Sequence, residues 1–155
     1  MYMVGILGTD QVCLIVCVKF YTADSNLVEE SYVYITPTYF REYLRYLWTF
    51  RHPILASEFG FPVYGESNKD LSDQLYDSPR SVYYLSFMSE ILKSIHEDGV
   101  HVMGALAWSF LDNWEFGDYA QQFGIQAVNR TTQQRYYKKS FFDLVDFVKS
   151  RQHRA

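Results

Sequence analysis

Cysteine and histidine are scarce in this chain: its 155 residues hold two cysteines and four histidines. Cys13 and Cys17 share one apolar, β-branched run. In an extended strand their Cα atoms stand roughly 13 Å apart, whereas a disulfide reaches at most about 7 Å. Two cysteines also fall short of a structural zinc site, so both read as small buried apolar residues. His52, His96, His101 and His153 lack metal-ligand spacing, and the eight glycines form no phosphate-cradling loop. No cofactor or metal is expected, and His101, alternating within a strand, reads as a satisfied core residue.

Long apolar runs are missing as well. The longest near the N-terminus, Val12 to Val18, is far below the roughly 20 residues of a membrane span. No positive segment precedes it and no small-residue cleavage site follows. Neither a signal peptide nor a transmembrane helix is expected, and the compartment stays open. Fourteen basic residues stand against 18 acidic ones, a net charge of −4 with no basic block. A nucleic-acid or membrane partner is therefore not expected.

What the chain does have is apolar and aromatic. Hydrophobic residues make up 48%, and 14 Tyr, 12 Phe and 3 Trp bring the aromatic share to 19%. The length suits one domain, residues 1–155, able to bury roughly two thirds of its unfolded surface.

Strand-like and helix-like segments alternate. Val12–Val18 has the pattern of a strand buried on both faces. Thr36-Pro37 reads as a cap and first helical residue, followed by Phe40, Tyr43, Leu44, Leu47 and Trp48 on one helical face. Ile54–Ser57 predicts a short buried strand, and Gly65–Asp77 a polar stretch in which Glu66, Asp70 and Asp73 are solvated. Ser78-Pro79 opens a second helix with the stripe Leu85, Met88, Ile91, Leu92 and Ile95, which Asp98-Gly99 stops. Val100–Trp108 predicts the third strand and Phe123–Val128 a short further one. Ser140 is expected to cap a last helix whose inner face is Phe141, Leu144, Val145 and Val148. The order β-α-β-α-β-α argues for an α/β fold with a parallel sheet. Periodicity alone leaves a flavodoxin-like sandwich and a piece of a (β/α)8 barrel both open.

In such folds chemistry gathers at the carboxyl ends of the strands. There the chain offers Phe20-Tyr21-Thr22, then Ser57-Glu58-Phe59-Gly60, then Trp108-Ser109 with Asp112-Asn113-Trp114-Glu115-Phe116. Carboxylates accept hydrogen bonds from sugar hydroxyls and flat rings cover sugar C–H faces. From spacing alone this pattern fits a carbohydrate site as well as solvated loop carboxylates beside core tryptophans.

Longer stretches carry a resemblance. Ile54-Leu55-Ala56-Ser57-Glu58-Phe59-Gly60-Phe61 resembles the Ile-Thr-Glu-Asn-Gly motif of glycoside hydrolase family 1, the β-glucosidase family. Ala107-Trp108-Ser109-Phe110-Leu111-Asp112-Asn113-Trp114-Glu115-Phe116 is similar to its Trp-Ser-x-x-Asp-Asn-x-Glu-Trp signature. Phe123-Gly124-Ile125 resembles its Arg-Phe-Gly-Leu segment, and Arg135-Tyr136-Tyr137-Lys138-Lys139-Ser140 its Arg-x-Pro-Lys-x-Ser segment. Phe20-Tyr21-Thr22 is similar to its Asn-Tyr-Tyr-Thr stretch.

The resemblance implies a retaining β-glycosidase on a (β/α)8 barrel, with two carboxyl groups about 5–5.5 Å apart. By motif, Glu58 matches the nucleophile and Tyr21 the tyrosine that hydrogen-bonds it. Trp108 matches the indole beneath the sugar ring and Glu115 the glutamate on its outer hydroxyls. Trp114 and Phe116 flank that glutamate and are expected to line the substrate. The partner implied is a β-glucoside or related carbohydrate.

Departures from the family pattern narrow the expectation. Phe59 stands where the family has Asn, and Phe116 where it has Trp. Glu115-Phe116-Gly117-Asp118-Tyr119 is one residue shorter than the family's loop. The family's acid/base motif, Asn-Glu-Pro, occurs nowhere in the sequence. Asp112 reads as a structural cap, so no replacement acid is evident. A closed barrel takes about 250 residues, so this chain is expected to be its last three βα units, strands six to eight. Such a piece is expected to be weakly active or inactive alone. A non-catalytic sugar-binding or interaction module, self-associating or complemented through exposed sheet edges, is the alternative. Asn129-Arg130-Thr131 is a glycosylation sequon that matters only in a secreted chain.

Overall fold

The computed structural model describes residues 14–18, 35–115 and 117–152. Three parallel strands form one sheet in the order β1 (Leu14–Val18), β2 (Ile54–Phe59), β3 (Val102–Ala107). Helix α1 (Pro37–Trp48) follows β1, and α3 (Ser78–His96) follows β2. Helix α4 (Lys139–Gln152) closes the described chain. The β-α-β-α-β-α reading of the sequence thus holds as an α/β fold. Among the described residues, no helix is long and apolar enough to cross a membrane.

Several details differ from the sequence reading. The second strand runs on to Phe59, through the carboxylate at Glu58. The region Gly65–Asp77 is not plain loop: it holds a 3-10 turn at Glu66–Asn68 and the single-turn helix α2 (Leu71–Gln74). Only Gln126–Val128 of the expected fourth strand is extended (β4), and it pairs antiparallel with β5 (Arg135–Tyr137). Helix α3 begins at Ser78 itself, with Asp77 in the cap position. Helix α4 begins at Lys139, which leaves Ser140 inside its first turn rather than capping it. There Ser140 donates its N–H and its hydroxyl to the Asp77 carboxylate, at 2.8 and 2.5 Å. That bond ties the start of α4 to the start of α3.

The core lies between the sheet and the helices. Phe40, Leu44 and Leu47 of α1 bury the stripe that the 3.6-residue period predicts. Ile54, Ala56 and Phe59 supply the β2 side. On α3 the buried face is Tyr83, Tyr84, Phe87 and Ile91, while Leu85 and Leu92 are only half-buried. The predicted stripe is therefore rotated. Aromatic rings carry more apolar area than leucine, and here they stack on one another. Tyr83 lies 4.2 Å from Phe87 and Phe59 meets Tyr84 edge-on at 5.3 Å, centroid to centroid. His101 is exposed and sets its ring edge-on to Trp48, contrary to its reading as a core residue.

The helix-facing side of β3 is Val102, Ala105 and Ala107. Met103 and Leu106, on the same strand, are 58% and 55% exposed. The sheet is thus covered by helices on one side and carries exposed apolar residues on the other.

Candidate active site

Glu58 is the next-to-last residue of β2 and is half-buried. Ala56 and Phe59, three residues apart, both enter the helix-facing core, so the alternation of the strand breaks between them and Glu58 lies in that irregular stretch. The β2–β3 register shifts between Ala56 and Phe59, which loosens the pairing at this point. Two contacts hold the strand ends together beyond it. Trp108 N–H donates to the Phe59 carbonyl at 2.7 Å. The backbone of Gly60 then packs so closely that any Cβ there would sit 1.8 Å from the Trp108 carbonyl oxygen. That oxygen also accepts the Tyr84 hydroxyl at 2.9 Å. The buried Tyr84 phenol is pushed well above its ordinary range, chiefly by burial, so it stays a donor.

Beyond Trp108 the chain turns, through a cis Trp108–Ser109 peptide, along Phe123–Gln126. Ser109 N–H donates to the Phe123 carbonyl at 3.1 Å, and Ile125 N–H to the Ser109 carbonyl at 2.9 Å. This course returns Glu115 to Trp108. The indole Nε1–H donates to Glu115 Oε1 at 2.8 Å, and Glu115 is 7% exposed. The loop after it closes by reciprocal bonds between Glu115 and Asp118, at 2.9 and 3.1 Å. Gly117, at φ +103°, permits so tight a turn. The chain is thus drawn together tightly between Glu115 and Asp118.

The candidate residues are therefore only partly brought together. Glu58 and Trp108 end hydrogen-bonded neighbouring strands, and Trp108 grips Glu115. Trp114 is 58% exposed and meets Tyr119 edge-on at 4.9 Å, with the Arg130 guanidinium 3.7 Å over the Tyr119 ring. Tyr21 and Phe116 lie outside the described residues.

Behind the site sits a buried set of charges that sequence reasoning missed. Glu66 is 1% exposed, not solvated. The fully buried Arg80 grips it with two nitrogens, donates to Asp77 at 2.5 Å, and reaches the carbonyls of Phe61 and Gln122 at 2.9 and 2.6 Å. Lys138, also fully buried, lies 2.8 Å from Glu66 Oε1 and 2.9 Å from Asp112 Oδ2. Asp112 Oδ1 accepts Gly124 N–H at 2.8 Å. Burial raises the Asp112 carboxyl above the usual carboxylate range, with Lys138 opposing it. Burial works against the Arg80 charge, but Glu66 and Asp77 outweigh it and keep the guanidinium protonated. The only trace of this set in the sequence is that Asp112 and Lys138 fall inside two of the resembling segments.

Fold and site together define an α/β protein whose carboxylates and indoles collect at the carboxyl ends of parallel strands. The model of Glycosyl hydrolase family 1 matches residues 19–153. The chain is 43% identical over 103 residues to β-glucosidase 1B of Phanerodontia chrysosporium, covering 65% of this chain and 19% of that protein. It is 32% identical over 126 residues to β-glucosidase 40 of Arabidopsis thaliana, covering 77% and 24%. Among solved structures it resembles a family 1 β-glucosidase of Humicola insolens in complex with glucose. There the TM-score is 0.75 at 29% identity, covering 84% of this chain and 29% of that one. The β-glucosidase of Trichoderma harzianum gives 0.75 at 28% identity, covering 84% and 30%. This chain belongs to glycosyl hydrolase family 1, and it spans about a seventh to a quarter of the length of the curated relatives it matches.

Proposed function

We propose that this chain forms the last three βα units, strands six to eight, of a (β/α)8 β-glucosidase-type barrel and carries its nucleophile. Glu58 attacks the anomeric carbon of a β-glucoside. The glycosidic C–O bond breaks, its electron pair leaves with the aglycone oxygen, and an ester joins sugar to Glu58. Water then cleaves the ester and regenerates the carboxylate. Tyr21 orients Glu58, Trp108 lies under the sugar ring and Glu115 takes its outer hydroxyls. Trp114 and Phe116 border the same pocket. The observation that carries this reading is the coupling of the two strand ends: Trp108 is hydrogen-bonded to the residue after Glu58 and holds Glu115 by its indole.

The sequence contains no Asn-Glu-Pro acid/base motif. Losing a general acid forfeits about 10²–10⁴-fold in rate, so the chain alone acts slowly on ordinary glucosides. A dinitrophenyl β-glucoside bypasses that deficit, because its phenolate departs without protonation. We expect one equivalent of phenol released per chain and one glycosyl unit gained by intact mass, both absent in Glu58→Gln. Phenol release without an adduct, or an adduct that persists in Glu58→Gln, overturns the assignment.

A second reading draws on the exposure of Met103 and Leu106 on the edge strand β3. Such an edge suits pairing with a chain that carries the remaining βα units. Mixing with a chain bearing an Asn-Glu-Pro segment is expected to restore hydrolysis of unactivated glucosides. If mixing leaves activity and light-scattering mass unchanged, complementation is excluded.

A further inference from the structure

We propose that Lys138 and Asp112 are positioning residues that hold the Trp108–Glu115 pair in register with the chain following Glu58. The inference rests on the reading of that pair as a sugar contact. Between Trp108 and Glu115 the loop is pinned most heavily at Asp112. Its N–H donates to the Gln126 carbonyl at 3.0 Å and its carbonyl accepts from Arg130 at 2.9 Å. Its carboxylate takes the Gly124 N–H at 2.8 Å and the Lys138 ammonium at 3.1 Å. Gly124 is fitted to this contact, since a Cβ there would sit 2.2 Å from Asp112 N.

Lys138 is the point where the two loops meet. Its ammonium spans Asp112, on the loop after β3, and Glu66, on the loop after β2. Its own N–H donates to the Ile125 carbonyl at 2.9 Å, so its backbone is fixed as well. Glu66 cannot swing away, because Arg80 holds both its oxygens and also binds the Phe61 carbonyl just beyond Gly60. An ammonium is a compact charge with three rotatable donors. Here it bridges two loops that share few backbone bonds, and this is geometry that an apolar residue of equal volume cannot supply. The stretch from Trp108 to Glu115 is therefore referenced to the loop following Glu58 through the buried Lys138 ammonium, while Arg80 adds a second link, from Phe61 and Glu66 to the Gln122 carbonyl beyond Glu115.

The test reads Trp108 directly. In nitrogen-15 correlation spectra the Trp108 Nε1–H signal, assigned by Trp108→Phe, reports its bond to Glu115. Asp112→Asn keeps an oxygen for Gly124 N–H but removes the charge facing Lys138. The double change Asp112→Asn with Lys138→Met leaves no unpaired charge between the two positions and guards against simple misfolding. In folded protein, both are expected to move the signal toward its position in Glu115→Gln and speed its solvent exchange at least tenfold. Asp98→Asn, in a distant ion pair, is expected to leave it unchanged. An unmoved signal with unaltered exchange in either folded variant overturns the proposal. D-Glucose added in parallel separates the two readings. A signal that responds to Asp112→Asn but not to glucose supports positioning while the sugar contact fails. One that responds to glucose but not to Asp112→Asn rejects positioning and keeps the sugar contact.

Discussion

Gly60 and Trp108 are pressed backbone to backbone: a Cβ on Gly60 would fall 1.8 Å from the Trp108 carbonyl oxygen. The contact sits one residue beyond the 2.7 Å bond from Trp108 N–H to the Phe59 carbonyl. Together they fix how far the end of β2 stands from the end of β3, and hence how Glu58 stands to Trp108.

Gly60→Ala is accordingly expected to be costly, because backbone atoms cannot rotate away as a flexible side chain can. Overpacking in a closed site costs about 1–3 kcal/mol, and this position belongs at the top of that range. Gly104→Ala is the control, since its Cβ would meet only Leu55 Cδ1 at 3.4 Å. Urea unfolding of both variants checks the contrast. Equal losses at the two positions would mean that the strand ends yield.

Tyr84 acts on the same carbonyl from the helix side. Its hydroxyl donates to Trp108 O at 2.9 Å, and the ring is fully buried against Phe59. Tyr84→Phe keeps the packing and deletes the donor. The expected loss is about 0.5–1.5 kcal/mol, the net contribution of one such hydrogen bond. Chemical denaturation measures it, and an unchanged midpoint would mean that the carbonyl is satisfied by other means.

Far from the site, Arg41 of α1 binds Asp98 through two nitrogens, at 2.7 and 3.0 Å, and Glu97 at 2.7 Å. Those hydrogen bonds hold the Asp98 carboxyl below the usual carboxylate range. Both acids lie just beyond the carboxyl end of α3, where negative charge is unfavourable without a cation. A depressed folded pKa gives stability that is present above the ordinary value and lost as pH falls through the folded one. Arg41→Met is expected to raise the Asp98 carboxyl toward the ordinary carboxylate range, with Arg45, 4.0 Å away, still holding it down in part. A carbon-13 carboxyl titration checks this, and the stability gap to wild type should close on acidification.

The legible parts of this molecule were those carried by period or by compact motifs. Phe40, Leu44 and Leu47 repeat at helical spacing and bury as expected. Glu58 and Trp108 lie in short segments at strand ends, and these ends indeed meet. What escaped was long-range pairing of charge. Glu66 sits among polar residues that look solvated, and nothing near it in the chain announces Arg80 or Lys138 as partners. The α3 stripe differs from its periodic reading because Tyr83 and Tyr84 bury completely, Tyr83 stacked on Phe61 and Phe87 and Tyr84 set edge-on to Phe59 and Tyr83. Ser140 looked like a helix cap and instead serves the Asp77 carboxylate of another helix.

The buried charges make a last prediction with a definite sign. Glu66, Asp77 and Asp112 face two cations, Arg80 and Lys138. Asp112 is the member whose carboxyl is raised, by burial above all, with Glu66 adding to it and Lys138 and Arg80 opposing. In the window between its unfolded and folded pKa the native state binds more proton than the unfolded one. Stability attributable to this group therefore falls as pH rises through that window and recovers on acidification. Asp98 runs the other way, so the whole-protein curve mixes both signs. The difference between wild type and Asp112→Asn isolates the group. Wild type is expected to gain on the variant as pH is lowered from neutrality toward about 4, where unfolded Asp titrates. Paired urea melts across that range decide it. If wild type loses ground instead, the Lys138 ammonium outweighs burial and the carboxyl is depressed.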